Sequence, residues 1–172
     1  MSAAEHREAA RGLRVRCAVL TVSDTRTPET DTSGALAADR LTEAGHVVTA
    51  REIVPDETDA IREALLRLGA EADAVLSTGG TGIAGRDRTV QVAEALVVSP
   101  IPGFGELFRM LSYEEIGAAS MLSRAMAGLY GPGGRTLLFC CPGSTAAVRL
   151  AMDALILPEL SHLVHETNRQ RD

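Results

Sequence analysis

From residue 15 onward the chain alternates two kinds of segment, and this alternation restricts the fold more than any other feature. Short apolar runs, rich in β-branched residues, end in polar or glycine-rich loops, and a stretch with helical spacing follows each. Residues 15–22 (VRCAVLTV), 46–54 (HVVTAREIV), 73–77 (DAVLS) and 135–141 (RTLLFCC) read as strands. The second is partly polar, which suits a place nearer the sheet edge. Asp31-Thr32-Ser33-Gly34 supplies N-cap candidates for a helix closed by Gly45, with Leu36, Ala37, Leu41 and Ala44 as its apolar face. A second helix over 58–68 carries Ile61, Ala64, Leu65 and Leu68, and Thr89 is expected to cap a third through Leu96. After a break at 99–103, helical stretches are expected at 105–111 and 113–129. The turn Gly131-Pro132-Gly133-Gly134 precedes the last strand, and a last helix is expected over 144–157.

Strands alternating with helices call for crossover connections. The expected fold is therefore α/β: a single doubly wound, mainly parallel sheet with helices on both faces. Residues 1–13 are polar, with no apolar signal-peptide core, and read as a flexible tail. Residues 14–166 form the expected domain and 167–172 a second tail. No apolar run reaches the ~20 residues that span a bilayer. Cys17, Cys140 and Cys141 lie within apolar runs at no repeated spacing, which reads as buried, reduced thiols in a cytoplasmic protein. The helix over 144–157 is apolar almost all round, so it is either sandwiched within one copy or part of a subunit interface.

All seventeen basic residues are Arg, and the chain contains no Lys. That excludes a Walker A loop, which places a lysine on nucleotide phosphates, and it excludes Schiff-base chemistry. A net charge of −6 argues against nucleic acid as a partner. An anionic ligand must then be met by Arg, by backbone N–H groups or by a metal ion.

In a parallel sheet, ligands bind beyond the carboxyl ends of the strands. The polar and glycine-rich loops all fall there: Ser23-Asp24, Pro55-Asp56, Thr78-Gly79-Gly80-Thr81-Gly82 and Pro142-Gly143-Ser144. Glycines at 79, 80 and 82 allow close backbone approach and an anion nest, or simply a tight turn. Asp87, between Arg86 and Arg88, is either a solvated ion-pair partner or a ligand for Mg²⁺, with Asp56 sharing that duty. Arg109 and Arg124 either bind phosphate in bidentate fashion or pair with Glu106, Glu114 or Glu115. His46, His162 and His165 show no metal-ligand spacing and read as structural or exposed. These patterns define a phosphate-friendly rim without defining a reaction.

The segments TVSDTRTPETDTSG (21–34), VPDE (54–57), STGGTGIAGRDRT (77–89), IPGFGELFRMLSYEEIG (101–117), MLSRAMAG (121–128) and CPGSTAAVRLA (141–151) together resemble the MoaB/MogA family of molybdenum cofactor biosynthesis proteins, nearer its MoaB branch. The resemblance spans roughly residues 14–165. It implies the same doubly wound fold and a molybdopterin-binding domain that adenylates the terminal phosphate of molybdopterin with Mg-ATP, releasing pyrophosphate. Carried over, Asp56 and Asp87 are the acidic pair for Mg²⁺ and adenylyl transfer, and Thr78, Gly79, Gly80, Thr81 and Gly82 belong to the nucleotide and phosphate site. Ser123, Pro142, Gly143 and Ser144 line the pterin side, with Ser23 and Asp24 at the pocket floor. The implied partners are ATP, molybdopterin, further copies of the chain in a trimer or hexamer, and other proteins of cofactor synthesis. Two positions depart from the family pattern: Cys141-Pro142-Gly143-Ser144-Thr145 stands where Leu-Pro-Gly-Ser-Pro is common, and Arg88 where Val is frequent. A catalytically silent molybdopterin-binding paralogue, or a CinA-like processor of nucleotide phosphates, are the alternative readings of the same residues.

Overall fold

A computed structural model describes residues 8–10 and 12–168. Six strands form one sheet in the order β2-β1-β3-β6-β5-β4. They are β1 (Arg16–Val22), β2 (Val47–Val54), β3 (Ala74–Thr78), β4 (Ser99–Pro100), β5 (Met126–Tyr130) and β6 (Thr136–Cys141). The first four in spatial order are parallel, whereas β5 alone is reversed, pairing antiparallel with both β6 and the edge strand β4. The expected class, a mainly parallel doubly wound sheet, is the one observed.

Helices α1 (Thr32–Glu43), α4 (Pro102–Ile116), α5 (Thr145–Ala151) and α6 (Leu157–Asn168) cover one face; α2 (Thr58–Glu71) and α3 (Thr89–Leu96) cover the other. Alternate strand residues divide between the two cores. Cys17, Val19, Leu76, Phe139 and Cys141 meet Leu41, Phe108, Val148 and Met152. Ala18, Leu20, Val75, Leu138 and Cys140 meet Ile61, Leu65, Leu68 and Ala93. A strand buried on both faces must be apolar at successive positions, which explains its unbroken hydrophobic runs.

Local chemistry starts and stops these elements. Asp31 is the N-cap of α1, its Oδ1 accepting from Gly34 N at 2.9 Å, and Gly45 follows that helix with φ 87°. Thr89, expected as a cap, is instead the first residue of α3 after Arg88, and its hydroxyl is buried without a partner. The last helical segment does not stop at Leu157. It continues through a π-turn (Met152–Ile156) into α6, where Pro158 is the second residue. Proline cannot donate to the helical ladder and crowds the carbonyl four residues before it, and the wider turn just ahead of it makes room.

One expected helix is wrong. The two stretches read at 105–111 and 113–129 are a single helix α4, a 3₁₀ segment (Gly117–Leu122) and strand β5. Five apolar residues, MAGLY, fit either helix or strand in isolation. Antiparallel pairing with β6 decides between them. The break at Ser99-Pro100 is a short edge strand, a place that tolerates proline. Of the expected tails, residues 1–7, Arg11 and 169–172 lie outside the described residues; Ala10 is buried, and Thr167 and Asn168 belong to α6.

Candidate functional site

Parallel strands deliver four loops to one edge of the sheet. At its centre is the glycine loop after β3. Gly79 N donates to Cys141 O at 3.0 Å, tying this loop to the turn after β6. Gly79 and Gly80 have φ of 91° and 64°. A Cβ at 79 would run into the Val22 carbonyl, and one at 80 into the Thr89 hydroxyl, so both conformation and space demand glycine. The amides of Gly80, Thr81 and Gly82 donate to no acceptor among the described residues, leaving a row of N–H groups suited to an anion.

This loop lines a cavity of about 420 Å³ together with Asp87, Ser123 and the Pro142-Gly143-Ser144 turn. Gly143 packs against Gly79, and the Ser144 hydroxyl caps α5 by accepting from Ala147 N at 3.2 Å. The opposite wall is Phe108, Ser112 and Ile116 of α4 with Ser120 and Leu122 of the 3₁₀ segment. Reading motifs alone misses these five. The spacing of Phe104, Phe108 and Ser112, one buried face of α4, carried the signal.

Thr78 and Ser23 lie next door. They line a second cavity of about 210 Å³ with Thr21, Arg26, Ser33 and Gly143. The Thr78 hydroxyl is buried and has no partner in the protein. Ser23 Oγ accepts from Thr25 N and Arg26 N, so its loop is held tightly against β1. Asp24 lines neither cavity. It faces an outer groove of about 780 Å³ with Pro28, Arg51 and Pro55. Its Oδ1 accepts from Asp56 N at 2.9 Å, which ties the Asp24 loop to the Asp56 loop.

Asp56 and Asp87 come from different loops. Asp56 Oδ1 accepts from Arg88 N at 3.1 Å, and Asp87 Oδ2 from Ala84 N at 2.9 Å. Burial raises the Asp56 carboxyl above the ordinary carboxylate value, and repulsion from Asp87 and Asp24 adds to the rise against the Arg88 amide. A divalent cation relieves such repulsion. The available donors are all carboxylate oxygens, the hard type that Mg²⁺ prefers. Among the described residues, no three His, Cys, Asp or Glu are grouped to hold a metal by themselves.

Arg109 and Arg124 are engaged by backbone carbonyls, and among the described residues neither forms an ion pair with Glu106, Glu114 or Glu115. Arg109 Nη1 donates to the carbonyls of Ser123 (3.3 Å) and Ala125 (3.0 Å). Arg124 donates through Nε and Nη2 to Gly82 O, and through Nη2 to Asp87 O at 2.9 Å. Arg124 sits in the connection to β5 and not in a helical hairpin. The three cysteines are free and buried, and burial pushes the Cys17 and Cys140 thiols up to about 12, far from the thiolate range of a nucleophile. His46 Nδ1 accepts from Val15 N, and His162 contacts Glu159 at 2.8 Å; both are structural. No helix among the described residues is long and apolar enough to cross a membrane.

Glycine-loop amides, two rim carboxylates and two adjoining cavities stand together at the carboxyl edge of a doubly wound sheet, which defines the protein as an α/β domain with a candidate ligand site at that edge. The comparisons with known proteins narrow that class. The sequence model of the family described as "Probable molybdopterin binding domain" matches residues 18–162, and the chain belongs to this family of molybdenum cofactor biosynthesis proteins. The chain is 51% identical over 173 residues to "Molybdenum cofactor biosynthesis protein B" of Bacillus anthracis, covering 99% of this chain and 100% of that protein. A crystal structure of a protein of that same name superposes with a TM-score of 0.87 at 52% identity, over 92% of this chain and 98% of the other. The tungsten cofactor synthesizing protein MoaB from Pyrococcus furiosus gives 0.81 at 34% identity, over 90% and 97%.

Proposed function

We propose that the chain binds molybdopterin at the carboxyl edge of its sheet and transfers an adenylyl group from Mg-ATP to the terminal phosphate of that pterin. The observation that carries this reading is the meeting of the two cavities at Gly143. The larger holds the unpaired glycine-loop amides and Asp87, and the smaller holds the Thr78 hydroxyl and Arg26. Two polyanions laid end to end need adjoining sites of this kind. Family membership and the full-length relatives point to the pterin as one of them.

The chemistry is an in-line displacement. An oxygen of the pterin phosphate attacks the α-phosphorus of ATP. A new P–O bond forms there as the bond to the β-phosphate bridging oxygen breaks, and its electron pair leaves with pyrophosphate. The nucleophile is already ionised near neutral pH, so no protein base is required. The task of the chain is positioning and neutralising charge. Glycine-loop amides hold phosphate oxygens without a lysine. Asp56 and Asp87 would hold Mg²⁺, which when bound supplies charge neutralisation between the phosphates.

The test is formation of adenylated molybdopterin by the purified chain with Mg-ATP, followed with Asp87→Asn and Asp56→Asn. Each substitution is expected to lower kcat by at least ~100-fold, the scale for losing a group that stabilises transition-state charge. Pterin binding without product from the wild type, under conditions where an active relative turns over, would establish the catalytically silent alternative.

The reading includes self-association. Leu107, Met110, Tyr113 and Ile116 leave an apolar stripe of α4 in solvent, continued by Met121 and Leu122. This surface, more than the last helix, is the one expected to meet other copies. The last helix buries Val148, Ala151, Met152 and Ile156 against its own sheet.

A further inference from the structure

The two arginines that grip backbone carbonyls form a connected brace. Arg109 of α4 grips the carbonyls on either side of residue 124, those of Ser123 and Ala125. Arg124 then reaches across to the carbonyls of Gly82 and Asp87, the two ends of the loop bearing Ile83, Gly85 and Arg86. Its own backbone N–H donates to Thr81 O at 3.1 Å. Gln91 of α3 completes the arrangement: with its amide set by the surrounding donors and acceptors, it donates to Asp87 O at 3.0 Å and accepts from Arg124 Nη1 at 3.1 Å.

From this geometry we infer that Arg124 is the positioning residue of the site, holding the glycine loop and the Asp87 carboxylate in register, with Arg109 and Gln91 as its supports. The physical need is plain. Four glycines between 79 and 85 give this loop more conformational freedom to lose than any other segment at the edge. Its amides and carboxylate are useful only when held within a fraction of an ångström. Asp87 closes its own turn, its N–H donating to Ala84 O at 2.9 Å while its Oδ2 accepts from Ala84 N. That turn fixes the carboxylate relative to residues 84–87 but not relative to the cavity. The planar guanidinium bridges two carbonyls and an amide oxygen at once. A lysine ammonium, a single point donor group, cannot span the same set.

The inference deepens the adenylyl-transfer reading and rests on it for its catalytic consequence, but its structural half is tested without turnover. Hydrogen–deuterium exchange of the full chain is compared for wild type, Arg124→Lys, Arg124→Ala and Gln91→Leu. The hydrogen-bonded amides of the loop, those of Ala84, Asp87 and Arg88, are expected to exchange at least ~10-fold faster in both Arg124 variants and less so in Gln91→Leu, with β1 and β3 protected as in wild type. In the transfer assay, Arg124→Lys is expected to lower kcat ~10- to 100-fold with little change in KM for molybdopterin, and so not to rescue Arg124→Ala. Unchanged exchange at the amides of Ala84, Asp87 and Arg88 in Arg124→Lys overturns the inference, as does full activity in that variant. A wild-type chain with no turnover overturns the adenylyl-transfer reading instead, and the exchange result then stands as the measure of the brace.

Discussion

Asp31 shows how one side chain can serve both fold and site. It is almost fully buried, and burial alone would push its carboxyl up. The Gly34 amide, the Thr21 hydroxyl at 2.9 Å and the Arg51 guanidinium at 3.0 Å outweigh that and hold it below the usual carboxylate value. It therefore caps α1 and anchors β1 and β2 just behind the Ser23 loop. Because its folded-state pKa is depressed, its contribution to stability is complete above the unfolded value of about 3.9 and is lost as pH falls through the lower folded value. Asp31→Ala is expected to lower unfolding free energy by about 2 kcal/mol, a cap and charge-assisted bonds of roughly equal size. Denaturant unfolding at pH 7 and pH 3 should show the deficit shrinking at the acid end. A deficit independent of pH would mean that the carboxylate is not the stabilising species. The capping role was readable from Asp31-Thr32-Ser33-Gly34. The bond to Arg51 was not, since 20 residues separate the two in sequence.

Among the elements, α4 is the one that sequence reading divided wrongly and the one on which the site wall depends. It runs close to the segment before β5 because Gly105 has no side chain. A Cβ there would meet the Ala125 carbonyl and lie 2.9 Å from Arg109 Nη2. Helix propensity alone favours alanine by about 1 kcal/mol. Overpacking against backbone costs typically 1–3 kcal/mol, and here it also displaces the arginine that grips residues 123–125. Gly105→Ala is accordingly expected to destabilise the protein by about 1–2 kcal/mol net and to loosen the bonded amides of Ala84, Asp87 and Arg88, measured by thermal unfolding and hydrogen exchange. A stabilised variant would show that propensity wins and that the approach is slack. The boundary errors share one cause. Short apolar stretches such as 126–130 carry no period of their own, and their state is set by the strand they pair with.

In the whole molecule, the exposed apolar stripe of α4 and the 3₁₀ segment is a surface that the domain's own packing leaves uncovered. Met110, Ile116 and Met121 are 58%, 60% and 72% exposed, and they extend the wall of the 420 Å³ cavity outward. Contiguous apolar surface of this kind marks an interaction site. Light scattering at micromolar concentration should find a trimer or hexamer. Met110→Asp with Ile116→Asp should shift the population toward monomer while leaving the fold intact by circular dichroism. A wild-type monomer would overturn the self-association proposal.

The opening alternation of apolar runs and helical periods was enough to define a doubly wound α/β chain, and to place its glycine loop, Asp56, Asp87 and the Pro142 turn at one edge. Those conclusions follow from short-range physics: side-chain periodicity, caps, and the rule that parallel strands share a carboxyl end. The roles of Arg109, Arg124 and Asp24 came only with tertiary structure, as did the division of the edge into two cavities and a groove. The three side-chain roles depend on hydrogen bonds between residues 14 to 42 positions apart, made by charged side chains that look in sequence like free surface charges. The absence of lysine pointed to arginine, amides or metal as the means of meeting an anion. Packing commits Arg109 and Arg124 to backbone carbonyls, and in the proposed reading the glycine-loop amides and the two carboxylates are the groups that meet the ligand.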